Sequence, residues 1–237
     1  MYYCWHIIQA VIEFIGFQSK MKNMKKYFAF FLLVSGSAFL SLMPAACAAA
    51  VDLLPPQKAI EDVSNKMKAQ LQDKEFNKDF ARVSDLVKKI IYPHVDFRRI
   101  SALVLGKHWR KADKKQRARF THEFQTMLVR TYARAFIEFD DWSIRYLPMV
   151  KKSNKKVIVK TEVLQPGKQP VAVSYRMVRA DGDWKVYDII IEGISLVTNY
   201  RKSFRNEMQR TGSLDAVIET LAQRNAKALS GEDEKKS

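Results

Sequence analysis

Val157, Val159, Thr161 and Val163 alternate with Lys160 and Glu162, and Val171, Val173, Tyr175 and Met177 alternate with Ser174 and Arg176. Strands patterned in this way turn one face to water and must bury the other. Four segments read as strands: WSIRYLP, KKVIVKTEVL, PVAVSYRMVRA and WKVYDIII. The stretches QPGKQP and DGD separate the last three, and Asp181-Gly182 between two alternating runs is a strong signal for a tight hairpin. In VYDIII the apolar residues occupy both parities. That places Ile189 and Ile191 on one face of the last strand and Val186 and Ile190 on the other, with both faces covered.

Upstream of this sheet the period is helical. Ala59 to Gln72 and Asp79 to Ile91 carry apolar residues three and four apart, with Pro93 stopping the second, and a short helix over Phe97 to Leu105 ends at Gly106. Asp113, with Gln116 three residues on, has the pattern of a capping box and opens a long helix whose broad apolar face runs from Phe120 to Phe139. After the sheet, Gly193 permits a bend into a helix bearing Val197, Tyr200 and Phe204, and Leu214 to Leu221 reads as a closing helix. The order predicts an α+β fold, a curved antiparallel sheet of about four to five strands wrapped by N- and C-terminal helices.

The first fifty residues stand outside that domain. Met24-Lys25-Lys26, an apolar core from Phe28 to Leu42 and Ala-x-Ala sites make a secretory signal, with cleavage expected near Ala48 to Ala50 and the true start at Met21 or Met24. Residues 1–50 are thus an upstream extension plus signal peptide, 51–228 a single domain with Pro55-Pro56 ending its disordered lead, and 229–237 a charged tail. Cys4 and Cys47 both lie in the part expected to be lost, which excludes disulfides and thiol chemistry from the exported chain. Pro44 argues against Cys47 as a lipid acceptor, so a soluble periplasmic form is expected. Residues 1–50 carry four lysines and one glutamate, so their removal leaves +13 of the formal charge of +16. An exported chain this basic meets anionic lipid surfaces and acidic proteins, and nucleic acid is not an expected partner. The densest cluster, Lys107 to Arg119, holds seven Lys or Arg against one Asp.

Catalytic patterns are missing from the sequence. The histidines His6, His94, His108 and His122 show no HExxH or paired spacing for zinc, and Ser195 in GISLV lacks the second glycine of a nucleophile elbow. Asp140-Asp141 could supply a general base in a curved-sheet cup but reads more simply as a helix end. No catalytic residue, metal ligand or cofactor is expected, and the chain is not read as an enzyme.

Two stretches, LVKKIIYPHVDFRRISALVLGKHWRKADKKQRARF and WKVYDIIIEGISLVTNYRKSFRNEM, resemble the MlaC family of periplasmic phospholipid-shuttle proteins, also called toluene-tolerance proteins. With the sheet between them the resemblance spans about residues 55 to 228. It implies a nuclear-transport-factor-like cup with a hydrophobic cavity and phospholipid as bound ligand. It also implies two partners: an inner-membrane ABC transporter complex with a substrate-binding MCE-type component, and an outer-membrane lipoprotein complex. The function so implied is carriage of lipid between the two membranes, maintaining outer-membrane lipid asymmetry. The alternative is a periplasmic small-molecule enzyme or a binder of another hydrophobic ligand in the same cup. The expected cavity lining is the sheet face, Val157, Val159, Val171, Val173, Tyr175 and Met177. The helices add Leu103, Phe124, Leu128, Tyr132, Val197, Tyr200 and Phe204.

Overall fold

Asp181 and Gly182 both take positive φ, 53° and 89°, and the tight turn they make fixes the register of the sheet's two longest neighbours. The computed structural model describes residues 52–73, 79–138 and 141–229. Its six strands are β1 (Ser143–Tyr146), β2 (Val150–Ser153), β3 (Lys156–Leu164), β4 (Val171–Ala180), β5 (Asp183–Ile191) and β6 (Ile194–Ser195). They pair antiparallel in the order β1-β3-β4-β5-β6, with β2 beside β1 on the same edge of β3. The expectation of four to five strands missed β2 and β6. β2, VKKS, has a single apolar residue and so no alternation, and the two-residue β6 is the far side of a tight turn at Glu192-Gly193 rather than the start of the helix.

The expected faces of β3 and β4 are observed: Val157 lies opposite Met177, Val159 opposite Tyr175, Thr161 opposite Val173 and Val163 opposite Val171. β5 departs from the expected parity. Arg176 pairs with Asp188 but Met177 pairs with Val186, so Tyr187 is an extra residue, a β-bulge. A bulge shifts the parity of everything beyond it. Val186, Ile189 and Ile191 therefore share one face with Met177, Tyr175 and Val173, and Val186 is not on the far side with Ile190.

Seven helices are described: α1 (Pro55–Leu71), α2 (Phe80–Ile91), α3 (Phe97–Leu105), α4 (Lys107–Lys111), α5 (Lys114–Glu138), α6 (Leu196–Thr211) and α7 (Leu214–Leu229). α1 begins at Pro55 rather than Ala59. Proline lacks the N–H that a first helical residue leaves unused, and Gln57 accepts the Leu54 N–H at 3.0 Å, so the prolines open the helix instead of ending a disordered lead. The capping box forms as read: the Gln116 N–H donates to Asp113 at 2.7 Å and the Asp113 N–H to Gln116 at 3.1 Å. Asp79 and Asp96 cap α2 and α3 in the same sense. A 3-10 turn over Tyr92–His94 leads Val95 alongside β5, where the Asp96 N–H donates to the Val186 carbonyl at 2.9 Å.

α1 packs on β3 and β5, α3 and α6 pack on β5, and α2, α3 and α7 pack on α5. One apolar cluster lies between α1 and the sheet, built on Ile60, Val157, Val159, Met177 and Val186. A second, Met67, Val83, Val87, Val129 and Ala133, binds α1, α2 and α5. No helix among the described residues is long and apolar enough to cross a membrane. The signal-peptide and start-site readings of residues 1–50, the expected positions of Phe139 and Asp140, and tail residues 230–237 lie outside the described residues.

Candidate functional site

Alternation along β3 and β4 gathers the expected sheet residues on one face. Val157, Val159, Val173 and Met177 are buried there, and Val171 and Tyr175 are half-buried. Tyr175 stands beside Thr161, whose hydroxyl donates to the Val173 carbonyl at 3.0 Å. Burial pushes the Tyr175 phenol up to about 12, so it is a neutral donor at any physiological pH. Sequence reasoning missed several members of this face: Ile60, Ala59, Val95, Ile144, Tyr146, Met149 and Trp184 pack against it, as does Val186. The alternation in WSIRYLP carried a signal for Ile144 and Tyr146; the helix residues and Val186 required the fold.

The helical part of the expected lining forms a second group, where α5 meets α6. Phe124 stacks on Phe120 at 5.6 Å between centroids and meets Tyr200 and Phe204 edge to face at 5.2 and 5.6 Å. Such pairs add about 0.5–1.5 kcal/mol each beyond the area they bury. The Tyr200 hydroxyl donates to that of Tyr132 at 3.3 Å, and Arg201 holds the Leu103 carbonyl at 2.6 Å, which ties α6 to α5 and α3. Val197 is buried on the first turn of α6, whereas Leu103, Leu128 and Tyr132 are half-buried.

α6 is aimed by a buried carboxylate. Asp188 is on the face of β5 opposite the apolar cluster, where its oxygens accept the Ser195 hydroxyl at 2.8 Å, the Val197 N–H at 3.1 Å and the Arg176 guanidinium at 3.1 Å. Ser195 in turn caps Thr198 at 3.1 Å. Ser195 is therefore a structural residue at a helix start. Asp141 is exposed at the turn after α5, with φ of 45° and Lys68 at 4.0 Å, which is the helix-end role and not that of a base in a pocket. Among the described residues no group of His, Cys, Asp and Glu could hold a metal ion.

Two further surfaces are defined. A solvent-open depression of about 400 Å³ is lined by Gly193, Ile194, Ser195, Thr198, Asn199 and Lys202, none of them an expected lining residue. The basic cluster forms the exposed corner between α4 and α5, where Arg117 covers the Trp109 ring at 5.4 Å and Arg119 pairs with Glu219 at 3.4 Å. Burial, then Lys107 and Lys111, lower the pKa of His108 there.

Helices laid on the apolar face of a curved antiparallel sheet, with an aromatic cluster beside it, place the chain in the α+β class of helix-covered open sheets. The chain matches the family described as "MlaC protein" over residues 61–223, and it belongs to that family. It is 31% identical over 151 residues to the toluene tolerance protein Ttg2D of Pseudomonas putida, covering 63% of this chain and 70% of that protein. It is 22% identical over 174 residues to the intermembrane phospholipid transport system binding protein MlaC of Haemophilus influenzae, covering 71% of this chain and 81% of that protein. Among solved structures it resembles a phospholipid-binding protein from Ralstonia solanacearum in complex with a phospholipid, with TM-score 0.68 and 28% identity over 73% of this chain and 98% of that one.

Proposed function

We propose that this chain is a periplasmic phospholipid carrier that moves lipid between the outer and inner membranes with the acyl chains held against the concave sheet face. The supporting observation is the apolar face of β3, β4 and β5 under α1, in a fold shared with a relative that was solved with a phospholipid bound. Two chains of about sixteen carbons expose roughly 30 methylenes, and at ~0.8 kcal/mol each their passage through water costs on the order of 20 kcal/mol. A greasy interior removes most of that barrier without any reacting group.

Val159 and Met177 are wholly withdrawn from solvent, so tails reaching them must part the side chains and helices that cover them. The carrier exchanges lipid with an inner-membrane ABC transporter complex containing an MCE-type component and with an outer-membrane lipoprotein complex. The signal read in residues 24–50 delivers it to the compartment between them. In the test, donor vesicles carry a fluorescent phospholipid with a quencher, and acceptor vesicles are added with the protein. Transfer that rises in proportion to protein concentration supports the reading; transfer no faster than in buffer overturns it.

A further inference from the structure

Tyr146 closes β1 on the apolar face, opposite Thr161, and its side chain packs against the Ile60, Val157 and Val159 cluster. Its hydroxyl is buried and has no hydrogen-bond partner among the described residues. A buried donor without an acceptor is costly, and folded proteins hold few of them.

The surroundings restrict what the missing acceptor can be. Across β3, the Thr161 hydroxyl donates to the Val173 carbonyl at 3.0 Å and makes no hydrogen bond with the Tyr146 phenol. Burial first, then Glu61, the Tyr175 phenol and Asp62, keep the proton on Tyr146, so the phenol is a neutral donor among acidic groups. Such surroundings disfavour a phosphate or a free fatty-acid carboxylate. A neutral carbonyl oxygen in an apolar setting is the acceptor that suits both the donor and its neighbours.

Position points the same way. β1 is an edge strand, and next to Tyr146 the Leu147 carbonyl accepts from the Gln57 amide at 3.4 Å, which lays the first turn of α1 over this edge. Just outside it Leu54 is 50% exposed. Tyr146 thus stands where the apolar face meets the exterior. A phospholipid has its ester carbonyls at the corresponding place, between tails that need shelter and a head group that does not.

We infer that the Tyr146 hydroxyl donates a hydrogen bond to an ester carbonyl of a bound phospholipid and so sets how deep the tails enter. This rests on the carrier reading above. It makes the protein a discriminator between ester-linked and ether-linked lipids, because an ether retains the tails and the head group but lacks the carbonyl.

The test uses the secreted protein incubated with vesicles containing equal amounts of a diacyl phosphatidylethanolamine and its dialkyl ether analogue of matched chain length. The protein is re-purified and its lipid identified by mass spectrometry. Wild type should take the ester form about 3- to 10-fold over the ether, the value of one neutral hydrogen bond. Tyr146→Phe should take both equally. The lipid-free variant should melt at or above the wild-type temperature, since the substitution removes an unpartnered hydroxyl. Lipid bound without preference by wild type, or with the same preference by both proteins, overturns the inference and leaves the carrier reading standing. A melting temperature lowered by several degrees shows a structural partner for the hydroxyl and overturns it as well. Finding neither lipid on the wild type overturns both.

Discussion

Replacing Asp188 by alanine removes one acceptor group from three donors at once. The Val197 N–H is buried and has no water to turn to, which costs about 1–3 kcal/mol. The Ser195 hydroxyl is half-buried and loses about 1 kcal/mol. Arg176 is 42% exposed along its side chain and rehydrates, so its loss is about 0–1 kcal/mol. Together these come to about 2–5 kcal/mol, a large part of the 5–15 kcal/mol by which domains are typically stable. At about 2–4 °C per kcal/mol for a domain of this size, the melting temperature should fall by about 4–20 °C. Asp188→Asn keeps one carbonyl oxygen and should lose about half as much. Urea unfolding followed by circular dichroism measures both variants. α6 carries Val197, Tyr200 and Phe204, so the same loss should also weaken lipid retention. A stability change below about 1 kcal/mol in Asp188→Ala refutes the assignment of α6's anchorage to this carboxylate.

Other outcomes follow from single positions. Val173→Glu places a carboxylate on the buried apolar face and should reduce lipid per protein severalfold while far-UV circular dichroism retains the α+β signature; unchanged loading removes Val173 from the lining. Phe124→Ala should destabilise by about 3–5 kcal/mol by emptying the space between Phe120, Tyr200 and Phe204, as read by urea midpoints. Gly193→Ala should cost about 1 kcal/mol through φ of 81° alone, because the added methyl meets nothing within 4 Å. The Tyr175 phenol is raised to about 12 in the fold against an ordinary value near 10, so its contribution is complete below pH 10 and is lost as pH rises towards 12. Wild type should therefore lose more stability than Tyr175→Phe over that interval, and parallel losses contradict the shift.

The parts of this fold legible in the chain were those decided locally. Asp113 and Gln116 close their capping box because both partners lie within one helical turn, and Asp181-Gly182 makes its hairpin because those residue types tolerate positive φ. The register of β3 on β4 follows from alternation along each strand. What was not legible depends on distant partners. The Tyr187 bulge is set by how β5 meets β4 and passes Val95, and it moved Val186 to the apolar side. Asp188 reads as an interruption of an apolar run until Ser195 and the start of α6 return to it. Of the candidate site, the sheet residues were readable by parity, whereas Ile60 of α1 against the sheet and the Tyr146 hydroxyl, unpartnered among the described residues, emerge only when α1 is laid over the edge of β1.

Lipid extracted from the protein after secretion into a bacterial periplasm and purification without detergent tests the central claim most directly. Mass spectrometry of the extract, with native mass spectrometry of the intact protein, should find phospholipid at near-stoichiometric amounts. A fully folded protein that emerges from the periplasm with no phospholipid attached contradicts the account.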